Sequence, residues 1–146
     1  NRGIAIVSID VIINISIKEE ENAMNNPKPS DKIRYVVEDN EGDIFYNIRF
    51  SCGDYVYSPE DEEWDYEWVY PEWLYTDNHG NNDTLCINIV SYKEIDPNIN
   101  FEMVGCFEKT EAHKKIKENK NLVFSGYYKT DKDKEMFFVS KMTKGE

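Results

Sequence analysis

Histidine, cysteine and basic residues are scarce in this chain, and each shortage removes a class of function. Its 146 residues include two histidines and three cysteines, and Cys52, Cys86 and Cys106 form no C-x-x-C pair. A structural zinc site or a disulfide framework needs more ligands at closer spacing, so the thiols read as buried, reduced side chains of a cytoplasmic protein. Lysine and arginine number 17 against 29 aspartates and glutamates, a formal net charge of −12 at pH 7. Direct binding to DNA, RNA or an anionic membrane needs a basic face, which this composition disfavours. Long apolar runs are missing as well. Residues 4–17 are apolar-rich, but Ser8, Asp10, Asn14 and Ser16 break the run, which is too short and polar for a transmembrane helix and a poor signal peptide. No P-loop, G-x-G-x-x-G, H-E-x-x-H or G-x-S-x-G occurs, so no cofactor is called for and the chain reads as a binding protein rather than an enzyme.

What the chain does have is concentrated. Residues 59–73 read Pro-Glu-Asp-Glu-Glu-Trp-Asp-Tyr-Glu-Trp-Val-Tyr-Pro-Glu-Trp. Six carboxylates (Glu60, Asp61, Glu62, Glu63, Asp65 and Glu67) fall between residues 60 and 67, and all three tryptophans (Trp64, Trp68 and Trp73) lie between 64 and 73, with no lysine or arginine in the stretch. Carboxylates steer and pair with a basic partner, while large rings supply buried contact area. The charge is lopsided: residues 38–67 hold eleven acids and one base, Arg49, whereas residues 109–146 hold ten lysines and six acids. The length suits one domain, and 40% hydrophobic with 14% aromatic content argues for a folded chain despite the charge. Ten tyrosines and seven phenylalanines favour β-structure.

Two readings compete for residues 1–23. Val7, Ile9, Val11, Ile13, Ile15 and Ile17 alternate with Ser8, Asp10, Ile12, Asn14 and Ser16, the period of a half-buried strand. Lys18-Glu19-Glu20-Glu21, however, corresponds to an all-purine coding stretch ahead of Met24, as a translated ribosome-binding site before a start codon would. The expected organisation is an N-terminal strand within 1–23, upstream of a natural start on the second reading, and a single α+β domain over 24–146.

Along that domain, Asn25–Ser30, with Pro27 and Pro29, reads as a linker. Ile33–Val37 and Ile44–Phe50 around Asp39-Asn40-Glu41-Gly42-Asp43 predict a β-hairpin. Residues 55–57 suggest a short strand, 60–67 a loop or irregular edge, and Pro71 argues against a central strand at 68–70. Residues 77–83 form a polar turn; the Asp/Asn density invites a calcium loop, but the spacing fails and Asn88 stands where the closing Glu belongs. Leu85–Tyr92 and Phe101–Phe107 read as strands, and Asp96–Asn98 as a turn. Thr110 is the expected N-cap of a helix to Asn119, with Ala112, Ile116 and the stem of Lys115 facing inward. Leu122–Tyr128 and Met136–Met142 complete the strands. The class predicted is α+β, a mostly antiparallel sheet with one late helix at about 110–119.

One stretch is similar to known proteins. Phe107 at a strand end, Ala112, Ile116 and Asn119 on an amphipathic helix, and the strand that follows resemble the tail of small uncharacterised phage and prophage proteins. The match covers a quarter of the chain or less, and Lys115 stands where that family usually has a histidine. The resemblance implies a mobile-element origin and no activity.

Three functions follow as expectations. The first is an acidic inhibitor of phage anti-defence or toxin-immunity type, a DNA mimic whose carboxylates stand in for phosphates on the basic face of a nuclease or defence effector. The alternative is a small-molecule binding module with an aromatic-lined pocket. An enzyme ranks last: His113 reads as a helix residue, His79 as a turn residue, and abundant acids make carboxylate pairs, or a metal at Asp61, Glu63 and Asp65, expected by chance. A His or Cys with a carboxylate partner in a cleft would revive it. Core tryptophans with merely solubilising acids are the plainest account.

Overall fold

The computed structural model describes residues 26–52, 55–60, 62–66 and 70–145, with backbone alone at 55–58 and 63–66. The expected strand within 4–17 lies outside the described residues. The organising unit is the predicted hairpin, β1 (Ser30–Asp39) with β2 (Ile44–Ser51). Asp39 closes its turn: one carboxylate oxygen accepts from the N–H groups of Glu41 (3.0 Å) and Asp43 (2.8 Å). Gly42 takes the left-handed position at φ 86°, which a Cβ would strain.

β2 is the hub of an eight-stranded sheet. One side pairs antiparallel with β1 through Tyr35↔Ile48 and Val37↔Phe45. The other side is shared. Near its end β2 pairs antiparallel with β5 (Glu72–Thr76) through Phe50↔Trp73, and at its start it meets β9 (Leu122–Lys129) in parallel at Phe45↔Phe124. Asn47, at φ 64°, interrupts the strand between the two pairings. β6 (Asn82–Thr84) extends β5, β7 (Ile89–Glu94) flanks β1, and β10 (Glu135–Lys144) joins β9 to β8 (Ile99–Glu108). The sheet is therefore mixed, not purely antiparallel, while the α+β class with one late helix holds among the described residues.

The row β7-β1-β2-β9-β10-β8 has its two outer strands joined by only four residues, 95–98. Such a short link forces the row to curl until its edges approach. Arg34 of β1 ties the closing corner. Its guanidinium donates to the carbonyls of Pro97 (3.3 Å) and Ile99 (2.8 Å) and lies 5.3 Å from the Phe101 ring centre.

The helix α1 (Lys109–Glu118) follows β8 directly and buries Ala112 completely, with Ile116 packed beside it. Lys115 lays its ammonium 4.5 Å from the Phe107 ring centre. Its N-cap is Glu108, not Thr110, and Glu108 makes no side-chain cap bond. Beneath the helix Phe45, Phe124 and Phe137 are each at most 1% exposed, with Phe45 and Phe137 stacked at 6.0 Å. On β9, Gly126 lets the buried Tyr75 ring lie directly on the backbone: a Cβ there would collide with that ring and come within 3.0 Å of Phe138.

Three further expectations are corrected. The thiols expected to be buried are not: Cys52 and Cys86 are exposed and Cys106 is half-buried. The strand expected over Leu85–Tyr92 runs Ile89–Glu94. Leu85, 4% exposed, instead plugs the core from an irregular segment, its N–H on the Trp73 carbonyl at 2.7 Å. Residues 60–67, expected as a loop or irregular edge, include β4 (Glu63–Tyr66), which pairs with β3 (Tyr55–Ser58).

Candidate functional site

β3 and β4 form a two-stranded sheet of their own, separate from the main sheet. The register is Tyr55↔Tyr66, Val56↔Asp65, Tyr57↔Trp64 and Ser58↔Glu63. Because strands alternate with a period of two, aromatic residues hold one set of alternate positions, 55, 57, 64 and 66. Val56, Ser58, Glu63 and Asp65 hold the other. The tip carries Pro59 and the exposed Glu60 and Glu62, the latter at φ 54°. A left-handed Glu is uncommon and is held here by the turn. Four of the nine residues singled out by sequence, Glu60, Glu62, Glu63 and Asp65, thus share one short arm with Trp64. Asp61, Glu67 and Trp68 lie outside the described residues.

Trp73 belongs elsewhere, on β5 in the main sheet. It is half-buried, with ring centres 5.4 Å from Tyr35 (edge-on), 4.8 Å from Phe50 and 5.4 Å from Tyr92. Those contacts give it a packing role at the margin of the core. Beside it Tyr35 and Tyr92 floor an open groove of about 600 Å³ whose walls include Pro27 and Lys28.

A second polar cluster lies at the start of α1. Tyr127 donates to Glu135 at 2.8 Å, and Lys109 reaches the other oxygen of the same carboxylate at 3.3 Å. These bonds, Tyr127's foremost, hold the Glu135 carboxyl below the usual carboxylate range. Burial, then the Glu135 bond, push the Tyr127 phenol up, and the bond to Glu135 raises Lys109. His113 spans the gap to the hairpin turn, with Nε2 2.9 Å from an Asp43 carboxylate oxygen and Nδ1 2.7 Å from the Lys109 carbonyl. The ring sits edge-on to Phe124 and Phe137. Asp43, Glu135, Tyr127 and Cys86 border a cavity of about 120 Å³ between the turn and β9–β10.

His113 with Asp43 is a histidine–carboxylate pair beside a cavity, the feature that would raise an enzymatic reading. The ring bridges two elements, one nitrogen against the Lys109 carbonyl of its own helix and the other against the Asp43 carboxylate of the hairpin turn. The pair fastens α1 to the β1–β2 turn. Reading His113 as a half-buried helix residue placed it correctly; its partner Asp43, 70 positions away, has no signal in the sequence. Among the described residues no group of three or more His, Cys, Asp or Glu is placed to hold a metal ion, and no described helix is long and apolar enough to cross a membrane.

No family model, no curated protein and no solved structure matches this chain.

Proposed function

We propose that this chain is an acidic protein-binding inhibitor, of the kind phage anti-defence and toxin-immunity proteins represent, that occupies a basic nucleic-acid-binding face of its partner. The observation that carries the reading is the arm. A two-stranded ribbon on its own is marginal in water, so it gains most from a surface to lie against. This ribbon holds the densest run of carboxylates in the chain and alternates it with aromatic positions. Carboxylates at Glu60, Asp61, Glu62, Glu63, Asp65 and Glu67 stand where a nucleic acid would present phosphates, drawing in a lysine- and arginine-rich groove. Trp64 and Trp68 anchor the contact through desolvated area, with the Tyr57 position opposite Trp64. Trp73 contributes from its fixed seat on β5.

The partner expected is a basic protein such as a nuclease or defence effector, with no direct contact to nucleic acid or membrane. Capture from host lysate in low and in high salt, followed by a nucleic-acid competition assay on the captured protein, tests the reading. Binding should weaken with salt and exclude DNA or RNA from the partner. A partner that binds as well in high salt, or holds nucleic acid and this protein together, refutes it. A small-molecule binding module then takes its place.

A further inference from the structure

The register of the β3–β4 arm sorts its residues as well as pairing them. In an antiparallel ribbon, directly opposed residues share one face. Tyr55↔Tyr66 and Tyr57↔Trp64 therefore set aromatic residues at all four positions of one face. Val56↔Asp65 and Ser58↔Glu63 set the carboxylate-bearing residues of β4 on the other. Beyond the last pair, the exposed Glu60 and Glu62 add acids at the tip.

A ribbon with aromatic positions on one face and acids on the other does not have the outline of a duplex. Duplex DNA turns its bases inward and presents charge on both strands, one phosphate per about 1.7 Å of axis. Glu63 and Asp65 are two residues apart, about 6.7 Å along β4, which is far sparser. A single strand leaves its bases open to one wall of a site and its phosphates to another. Proteins that bind single strands accordingly combine a positively charged groove with aromatic side chains on which bases stack.

We propose that the arm mimics a single-stranded nucleic acid, and that its partner is a protein with a single-strand groove. One wall of that groove carries lysine and arginine, and the other carries aromatic side chains. The inference rests on the reading of the arm as a nucleic-acid mimic and narrows the basic face to one class. The acidic face of the ribbon meets the basic wall, where phosphates would lie. The aromatic face meets the stacking wall, where bases would lie, ring against ring or ring against guanidinium. A flat duplex-binding surface would engage one face of the ribbon and leave the other in water. Entry between two walls needs an arm that is not a strand of the main sheet, and among the described strands β3 and β4 pair only with each other.

The test fixes the full chain to a resin and loads it with host lysate cleared of nucleic acid by nuclease. Proteins that a chain carrying Glu62→Lys, Glu63→Lys and Asp65→Lys fails to retain are the partners of the arm. They are then released with an oligothymidine of about 16 nucleotides, the upper site size of one single-strand module, or with a duplex of the same length. The oligothymidine should release them at a concentration at least about tenfold below that of the duplex. Release by the duplex at an equal or lower concentration overturns the inference and leaves the proposed function standing. Release by neither, or no protein retained through the arm, overturns both. A Tyr57→Ser, Trp64→Ser chain checks the stacking wall and should retain the same protein about tenfold less well. Undiminished retention by that chain means that only the acids are read, and overturns the single-strand groove. Should ring removal unseat the arm itself, the release comparison on the unaltered chain decides alone.

Discussion

Two side chains near the start of α1 share one carboxylate, and that sharing sets a pH dependence. Glu135 accepts from the Tyr127 hydroxyl and from the Lys109 ammonium. Both bonds favour the charged form, so the folded protein holds Glu135 ionised to a lower pH than the unfolded chain does. A lowered native pKa contributes stability that is fully present above the unfolded value and is lost as pH falls through the native one. Glu135→Gln keeps an acceptor for Tyr127 and removes the charge. At neutral pH it should cost about 1 kcal/mol, since hydrogen bonds to ionised groups exceed neutral ones by about that much. Urea melts compared at pH 7 and at about pH 2.5–3 check this: the gap between the proteins should close in acid. A gap that persists there would mean the loss is packing rather than charge.

At the scale of elements, the helix start shows both what sequence conveys and where it misleads. Thr110 followed by Glu111 looks like a capped N-terminus, but β8 runs on to Glu108 and the first turn begins at Lys109. Residue 108 is then the N-cap and Glu111 the third helical position, the spacing of a capping box with the wrong residue at its head. Glu108→Ser supplies the missing side-chain acceptor for the first-turn N–H groups. It gives up an ion pair with Lys134 that is exposed on both sides and of little consequence. Thermal melts should show a gain of about 0.5–1 kcal/mol; no gain would mean water already serves those amides.

The hairpin around Asp39–Asp43 and the pair β9–β10 were legible because alternation and turn residues agree there. Residues 85–92 misled because Leu85, Ile87 and Ile89 alternate for different reasons, a core plug and then a strand. β4 was hidden because Glu and Asp have low strand propensity, which pairing with Tyr55–Ser58 overrides. The parallel meeting of Phe45 with Phe124 joins residues 79 positions apart and leaves no local trace.

Over the whole molecule, charge and architecture divide the labour. The main sheet, with its aromatic core and the lysine-bearing helix, holds together without any described pairing to the β3–β4 arm, and the arm carries the acids. Altering the arm should therefore change association while leaving the fold intact. Reversing Glu62, Glu63 and Asp65 to lysine moves the local charge by six units, from −3 to +3. The long-range attraction that speeds encounter is then lost, and a partner identified by capture should associate about ten times more slowly or worse at low salt. Trp64→Ala acts at short range. Removing a desolvated aromatic anchor typically costs about 2 kcal/mol or more, so dissociation should quicken by about thirtyfold while the association rate holds. Both variants should unfold at the same urea midpoint as the parent, because no described strand pairing joins the arm to the main sheet. Surface-bound kinetics at two ionic strengths separate the two effects. A charge reversal that leaves association unchanged at low salt would remove the steering role from the acids and reduce them to solubilising charge. A Trp64→Ala variant that unfolds early would place that ring in the fold instead of the interface.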